Sequence, residues 1–345
     1  MSSAKQVISN AFESPALERL TTLLDQNGVK SKEIIGLTPD ASTRKYFRVA
    51  WKKGSAVAAV YPEPFDPEFN PYLDVTKLFL KCQIPVPEIY AVDGTAGIVV
   101  QEDLGDQQLF QLLEDAPEEQ CDEYKEQAIT LIARIQKATD TAREVNSIAS
   151  RLAFDEAKLS WELDFFFEHY FVSLRRENLR HAELAELKAE LNDIAAELAA
   201  VPRVLCHRDY HGANLMVDSK DRLRVLDHQD ARMGPASYDL VSFLLDRQPT
   251  PPSLAELRDY RLFFLEERRR QGLDILDPDE FAREFRLMAI QRGLKATGTF
   301  SYQTAVCGRG AFYESYIRPT LQIVFQSAVW LDRFPTLQRI LNTRI

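Results

Sequence analysis

The chain has 345 residues, of which 45% are hydrophobic and 27% charged, and its formal net charge at pH 7 is −10. This composition predicts a globular protein with enough residues for two domains of ordinary size. The negative balance argues against a nucleic-acid partner and a membrane-surface partner, because both roles normally require a basic face.

The first part of the chain is predicted to form a small antiparallel sheet. An amphipathic helix at about residues 14–26 precedes three short strand-like runs, EIIGL, KYFRVA and SAVAAVY. The proline-rich stretch YPEPFDPEFNPY that follows cannot be regular structure. One inserted helix, DVTKLFLKC, and two further strands, VPEIYAVDG and AGIVVQEDL, complete the pattern. We therefore expect an N-terminal lobe over residues 1–103.

From residue 104 onward the pattern becomes helical. Long segments such as EYKEQAITLIARIQKA and EFAREFRLMAIQRGLKA carry apolar residues at helical spacing. Two strand-like pieces interrupt them: VLCH, which we expect to pair with NLMV in a hairpin, and LRVLD. The predicted fold class is α+β, with an antiparallel-sheet N-terminal lobe and a larger, mainly helical lobe over residues 104–345. A cleft between two such lobes is a usual place for a ligand.

The sequence also predicts where the protein resides. The four cysteines form no CxxC pair, so we expect reduced thiols rather than disulfides or structural zinc. The first twenty residues contain no apolar core typical of a signal peptide, and no run approaches about 18 apolar residues. These features favour a soluble, cytoplasmic protein without a membrane partner; they leave its oligomeric state open.

Three polar side chains follow the strand-like pieces of the helical lobe. Asp209 and Asn214 lie in HRDYHGANL directly after VLCH, and Asp227 ends LRVLD. Such loops commonly carry chemistry on a rigid scaffold, and oxygen ligands of this kind suit Mg²⁺. In phosphoryl transfer one Asp orients and deprotonates the attacking hydroxyl, while an Asn and a second Asp hold metal against the triphosphate. The spacing meets those needs.

HRDYHGANL, followed by VLDHQDARMGPASYDLVSFLLD, resembles the aminoglycoside phosphotransferase and choline kinase family, whose fold is that of protein kinases. The resemblance implies an ATP- and Mg²⁺-dependent kinase in which Asp209 is the catalytic base and Asn214 and Asp227 are metal ligands. Asp239 would hold the catalytic loop, although it could equally be an ordinary acid at a helix N-terminus. His207 would organise the same loop.

The N-terminal lobe departs from the family pattern at one position. The family carries a lysine on the third strand that touches the α- and β-phosphates, whereas SAVAAVYPEP has Val60 or Tyr61 there. Either a cation of the preceding turn supplies the charge or nucleotide binding is impaired. We expect the turn ASTRKYFRV to do so, with Arg44 as the first candidate, followed by Lys45 and Arg48.

The run VVQEDLG resembles the family's hinge between the lobes. Around Glu102, Asp103 and Leu104 the backbone would meet the adenine edge, so side-chain identity there matters little. Asp74, on the inserted helix, could stand in for the family's helix carboxylate, although no strand lysine is present to pair with it.

The resemblance extends to one branch of the family. The missing lysine and the segments DASTRKYFRV and QRGLKATGTF are similar to bacterial kinases that phosphorylate the anomeric hydroxyl of N-acetylmuramate and N-acetylglucosamine in cell-wall recycling. A sugar acceptor would suit Trp161 for stacking and Glu162 for hydroxyls. His211 could hydrogen-bond the acceptor. Arg292 and Lys295 could meet a lactyl carboxylate or cap a helix C-terminus.

Other functions remain open at this point. A kinase for aminoglycosides, choline or homoserine has the same motifs. A pseudokinase that only binds ligand would explain the missing lysine, but it has no need of Asp209. A zinc hydrolase would use ligand types present in five residues, His207, Asp209, His211, Asp227 and His228.

Overall fold

Residues 15–29, 34–37, 43–52, 54–247 and 252–345 are described by the structure, a computed structural model. The described residues form two compact units, residues 1–107 with 216–229 and residues 108–215 with 230–345. Residues 216–229 therefore pack with the N-terminal unit, although they lie within the stretch predicted as the C-terminal lobe. Within the described residues, no helix is both long and apolar enough to span a membrane.

The first unit is built on an antiparallel sheet. Its strands are β1 (Ile34–Leu37), β2 (Lys45–Trp51), β3 (Gly54–Val60), β4 (Ile89–Asp93) and β5 (Ile98–Glu102). They pair in the order β1-β2-β3-β5-β4, with Phe47 opposite Ala58 and Ala58 opposite Val100. The predicted strands are confirmed, and β3 and β5 are buried over consecutive residues, as is typical of the inner strands of a sheet.

Two helices accompany this sheet. Helix α1 (Pro15–Gln26) buries Leu20, Leu23 and Leu24 in the core that the sheet residues form. Helix α2 (Pro71–Lys81) begins at Asn70, whose side chain accepts a hydrogen bond from the Leu73 amide. A side-chain cap of this kind satisfies an amide that the first helical turn leaves unpaired. The proline-rich stretch before α2 contains only a short 3-10 turn, Pro67–Phe69.

The second unit is mainly helical. Its helices are α3 (Leu109–Asp115), α4 (Glu118–Lys137), α5 (Thr139–Glu144), α6 (Ile148–Arg151), α7 (Glu156–Phe166), α8 (His181–Ala200), α9 (Tyr238–Leu245), α10 (Leu254–Arg270), α11 (Pro278–Ala305), α12 (Gly310–Leu331) and α13 (Pro335–Leu341). Helix α7 runs on into a π-helix, Phe167–Arg175. Helix α11 is central: Phe285, Ile290 and Leu294 are fully buried. At Gly298 a Cβ atom would meet the Cα atom of Phe166 at 2.7 Å, so α7 and α11 approach closely there.

The remaining strands are β6 (Arg203–Cys206), β7 (Leu215–Val217), β8 (Leu223–Val225) and β9 (Arg232–Pro235). Strand β6 pairs with β9, and β7 pairs with β8. The predicted hairpin of VLCH with NLMV is therefore wrong. Short buried runs such as these have no periodicity that selects a partner, and the chain between β6 and β7 is a loop held by other elements.

Candidate active site

The loop that follows β6 carries Asp209 and is fixed from the start of α9. The backbone amides of His207 and Arg208 donate hydrogen bonds to the carboxylate of Asp239, over 2.7 and 3.0 Å. Asp239 is fully buried, and this burial raises the pKa of its carboxyl group. His207 is also buried, with its ring edge-on to Tyr210 at 5.6 Å. Both residues thus lie inside the unit, where they order the loop.

Arg292 of α11 also holds the Asp209 loop in place. Its Nη1 donates a hydrogen bond to the carbonyl of Arg208 over 2.9 Å, and its Nε donates to Asp246 over 3.1 Å. The guanidinium lies 4.7 Å from the ring centre of Tyr238, and only 1% of Arg292 is exposed. This burial conflicts with the predicted contact of Arg292 with a substrate carboxylate. A guanidinium that Asp246 holds in the interior is not presented to a ligand.

The backbone is strained where this loop turns. Arg208 has φ of +86°, a value that non-glycine residues rarely adopt. Strain of this kind persists only where surrounding contacts enforce it, and here Asp239 and Arg292 hold the amide and the carbonyl of this one residue. The orientation of the next residue, Asp209, is set by these contacts.

Positive charges surround the carboxylate of Asp209. Lys295 Nζ lies 3.7 Å from Oδ1, and Arg208 Nη1 lies 3.8 Å from Oδ2. Burial by itself would raise the pKa of Asp209, but the charges of Lys295, Arg208 and Arg292 outweigh it and hold that pKa well below its usual range. Asp209 is therefore ionised at neutral pH, and the structure places Lys295 beside it.

Asn214 ends the same loop in a 3-10 turn, Gly212–Asn214. Its Nδ2 donates a hydrogen bond to the backbone carbonyl of Asp209 over 2.8 Å. Because the amide nitrogen is committed to the loop, the side-chain oxygen is the atom that Asn214 can offer to a cation. This orientation fits the chemistry of a Mg²⁺ ligand.

Asp227 belongs to the first unit and has φ of +60°. Gln229 donates a hydrogen bond to its Oδ1 over 2.8 Å, and Arg44 Nη2 lies 3.9 Å from the same oxygen. The side chain is 44% exposed. A fixed, accessible carboxylate of this kind also fits a Mg²⁺ ligand, which keeps waters and substrate phosphates as further ligands.

The cations of the turn before β2 lie in different surroundings. The Arg44 guanidinium is 5.4 Å from the ring centre of Tyr61 and faces Asp227, whereas Lys45 is exposed. Arg48 donates hydrogen bonds to Asp103 over 2.7 and 3.1 Å, which tie β2 to the end of β5. Residues 41 and 42 of the turn ASTRKYFRV lie outside the described residues.

The side chains of the predicted hinge, Glu102 to Leu104, make contacts within the protein. Arg224 Nη1 donates a hydrogen bond to Glu102 over 3.0 Å, Asp103 pairs with Arg48, and Leu104 is buried. The carboxylates of Glu102 and Asp103 are thus engaged within the first unit. The Glu102 amide also donates to the Glu88 carbonyl over 2.8 Å, so the predicted contact with adenine would rest on the backbone of Asp103 and Leu104.

His211 lines a cavity of about 250 Å³ in the second unit, together with Phe110, Phe243 and Asp246. Burial lowers the pKa of His211 to about 4, and the positive charge of Arg247 adds to the effect. The imidazole is therefore neutral at pH 7. In this form it can exchange a hydrogen bond with a hydroxyl group without adding charge.

Trp161 and Glu162 of α7 differ in exposure. The indole is 56% exposed, whereas 1% of Glu162 is exposed and its Oε2 accepts a hydrogen bond from Gln291 over 2.9 Å. Lys158 lies beside both, with Nζ 4.0 Å from the indole centre and 3.5 Å from Glu162 Oε1. The predicted hydroxyl contact of Glu162 is not favoured by this burial, whereas Trp161 is available to a ligand.

Sequence reasoning missed several residues of this region. Lys158 precedes Glu162 by four positions, a spacing that a helical projection could have revealed. Arg232 and Asp230 follow the proposed metal ligand in DHQDAR, and Asp246 ends the helix α9. No pattern in the sequence links Asp246 to Arg292, because the pair is formed by packing of separate helices.

The histidines do not form a metal centre of the hydrolase type. His228 is buried in the first unit, 4.8 Å from the ring of Tyr72 and within 2.7 Å of the Thr76 hydroxyl. Across the described ranges, no group of three or more His, Cys, Asp or Glu side chains is placed to hold a metal ion.

Comparison with known proteins places these features in context. A model of the phosphotransferase enzyme family matches residues 33–273. The N-acetylmuramate/N-acetylglucosamine kinase of Neisseria meningitidis serogroup B is 33% identical over 264 residues, covering 76% of this chain and 76% of that protein. The protein of the same name from Pseudomonas aeruginosa is 32% identical over 279 residues, covering 79% and 77%.

Among solved structures, choline kinase from Cryptosporidium parvum Iowa II superposes with a TM-score of 0.63 at 11% identity, covering 94% of this chain and 99% of that one. At such low identity the likeness establishes the fold and nothing about the acceptor. The predicted α+β, kinase-like fold is confirmed.

Proposed function

Because the chain belongs to the phosphotransferase enzyme family, we propose that it uses ATP and Mg²⁺ to phosphorylate the anomeric hydroxyl of N-acetylmuramate and N-acetylglucosamine. The acceptor is supported by the names of the bacterial relatives at 33% and 32% identity. The product would be a sugar 1-phosphate made in the cytoplasm for cell-wall recycling.

The observation that carries this proposal is the placement of Asp209. Its carboxylate lies 3.7 Å from Lys295 Nζ, in a loop that Asp239 and Arg292 fix through backbone hydrogen bonds, and the neighbouring positive charges lower its pKa. In phosphoryl transfer the transition state is loose, so this carboxylate mainly orients the attacking hydroxyl and accepts its proton late. A low pKa is compatible with that role, since the group has to be ionised before the hydroxyl arrives.

We assign the cation to oxygen ligands of Asn214 and Asp227, each of which fits by orientation or exposure. Bound Mg²⁺ would neutralise the charge that develops on the phosphate oxygens. Arg44 is the best candidate to replace the family's third-strand lysine, because its guanidinium faces Asp227, whereas Arg48 is committed to Asp103. Lys45 is the alternative, and the backbone of Asp103 and Leu104 would bind adenine.

The test is acceptor-dependent release of ADP from ATP in the presence of Mg²⁺. The acceptors are N-acetylmuramate, N-acetylglucosamine, kanamycin, choline and homoserine. We expect release with the two acetylated sugars, and a loss of about 10²- to 10⁴-fold in rate for Asp209→Asn with nucleotide binding retained. Asp140→Asn is the matched control, because Asp140 is a surface carboxylate, 84% exposed, paired with Arg143.

ADP release with kanamycin, choline or homoserine, and with neither sugar, would identify that compound as the acceptor and reject the sugar. Binding of ATP without release for any acceptor would favour a pseudokinase. Full turnover by Asp209→Asn would refute the role of Asp209.

A further inference from the structure

Charged side chains of α7, α11, the Asp209 loop and the start of β9 gather in the second unit. Four are basic and three acidic: Lys158, Arg208, Arg232 and Lys295 with Glu162, Asp209 and Asp230. The group therefore has an excess of positive charge, in a protein whose net charge is −10. An excess cation beside a reactive carboxylate indicates that an anion completes the site.

The ion pairs of this group do not neutralise all of its positive charge. Arg208 Nη1 and Arg232 Nη2 share one oxygen, Oδ1 of Asp230, at 3.0 and 3.4 Å. Arg232 thus shares its carboxylate partner with Arg208, which also lies 3.8 Å from Asp209. Lys158 Nζ lies 3.5 Å from Glu162 Oε1, which is longer than the 2.7–2.9 Å of a strong charge-assisted hydrogen bond. Arg232 also donates from Nε to the Asp230 carbonyl over 3.1 Å, and its side chain is 11% exposed, against 24% for Lys158. An added anion would therefore meet Nη1 of Arg232 and Nζ of Lys158.

The protonation behaviour agrees with this geometry. Burial lowers the pKa of Lys158 and of Arg232, and the neighbouring charge of Arg208 lowers both further. The cations therefore repel one another in a partly dehydrated place. An added carboxylate would relieve that repulsion, because it favours the charged form of each group.

An apolar surface lies next to Lys158. The Lys158 ammonium is 4.0 Å from the indole centre of Trp161, and the indole is 56% exposed. Aromatic faces accept the apolar face of a ring while polar groups at the edge fix its substituents. A sugar ring packed on this indole would have a substituent beside Lys158.

We propose that Lys158 and Arg232 bind the carboxylate of an acidic acceptor sugar whose ring packs on Trp161. The inference rests on the proposed function and adds the chemical class that this subsite selects. N-acetylmuramate carries a lactyl carboxylate and N-acetylglucosamine has none. The subsite would therefore strengthen the binding of the first sugar and leave the binding of the second unchanged. It also places the specificity residues elsewhere than Arg292, which is buried against Asp246.

The experiment compares the two sugars and the uncharged methyl ester of N-acetylmuramate in wild type, Lys158→Met and Arg232→Gln. We expect each variant to lose about ten- to hundredfold in kcat/KM for N-acetylmuramate relative to N-acetylglucosamine, the range for a hydrogen bond to a charged group. Wild type should prefer the acid to the ester by a similar factor. The variants should lose that preference, because ligand and protein charges act as a coupled pair.

Lys188→Met is the matched control, since Lys188 lies over the ring of Phe167 at 5.7 Å on α8, apart from this group. It should affect both sugars equally. Lys158→Arg keeps the charge and should restore the preference for the acid. Binding of acid and ester is also measured by calorimetry, which reports on the subsite without turnover.

Several results would overturn the inference. An equal loss for both sugars would mean that the cations act on phosphate or on folding. Equal binding of the acid and the ester by the wild type would also reject the subsite. This result does not depend on whether Lys158→Met folds. Turnover of N-acetylglucosamine with no preference for the acid would reject the subsite and leave the proposed kinase intact, whereas turnover of neither sugar would reject the proposed acceptor.

Discussion

Lys295 lies beside the oxygen of Asp209 that faces α11, and its charge is one reason why that carboxylate is ionised. We expect Lys295→Met to raise the pKa of Asp209. The proposed base would work only when deprotonated, so activity would be lost as the pH falls through its pKa. The acid side of the pH profile of kcat/KM should therefore move to higher pH in the variant.

The control for this prediction is Lys295→Arg, which keeps a positive charge and should leave the acid side where the wild type has it. An unchanged acid side in Lys295→Met would show that Lys295 does not influence the base. A change in KM alone would indicate that the lysine binds a substrate and has no effect on Asp209.

Two residues of the proposed site are strained in the backbone. Arg208 and Asp227 have φ of +86° and +60°, and both flank or form the groups that the reaction requires. Sparsely populated conformations of this kind cluster at functional sites and are maintained by surrounding contacts. The conformation of Arg208 could not be expected from its residue type, whereas aspartate is one of the residues that adopt positive φ more often.

At the scale of elements, α7 and α11 bring the acceptor residues and Lys295 into one unit. Their close approach depends on Gly298, where an added Cβ would lie 2.7 Å from the backbone of Phe166. We expect Gly298→Ala to lower the free energy of unfolding, because overpacking costs about 1–3 kcal/mol and a backbone neighbour cannot rotate away. The gain in helix propensity, about 1 kcal/mol, offsets only part of this cost.

Urea unfolding measures the Gly298→Ala effect. Gly54→Ala is the matched control, because nothing lies within 4 Å of a Cβ at that position and its effect should stay within about 0.5 kcal/mol. If Gly298→Ala were as stable as the wild type, the contact between α7 and α11 would be looser than described.

At the scale of the whole molecule, the first unit is discontinuous in sequence. Residues 216–229 belong to it, with Arg224 hydrogen-bonded to Glu102 and to the carbonyl of Val86, and with His228 buried against Tyr72. We expect a fragment of residues 1–107 to unfold at a lower urea concentration than the same fragment joined to residues 216–229 by a flexible linker. The joined segment restores a partner for a carboxylate and covers apolar surface.

The control joins a scrambled version of residues 216–229 through the same linker, and it should behave like the fragment alone. Equal unfolding midpoints for the fragment and its native-sequence fusion would contradict the description of this unit. Circular dichroism measures the helix and sheet content during unfolding. The binding of a hydrophobic dye measures the exposed apolar surface.

The hydrophobic pattern was sufficient for most elements but not for strand pairing. The strands of the first sheet and the long helices follow from alternating and helical spacing of apolar residues, which the folded chain preserves because burial selects one face of each element. The pairing of β6 with β9 did not follow, since a strand of three or four buried residues has no distinguishing period. The same limit hid the membership of residues 216–229 in the first unit.

By itself, the sequence determined the chemistry that this protein has available. Asp209, Asn214 and Asp227 are recognisable because phosphoryl transfer needs particular groups at a particular spacing along one loop and the next strand. Only the tertiary structure decided what surrounds them: Arg292 is buried against Asp246, and Lys295 lies beside Asp209. These contacts join residues far apart in the chain, so packing, burial and mutual charge decide them, and none of these quantities can be read from local spacing.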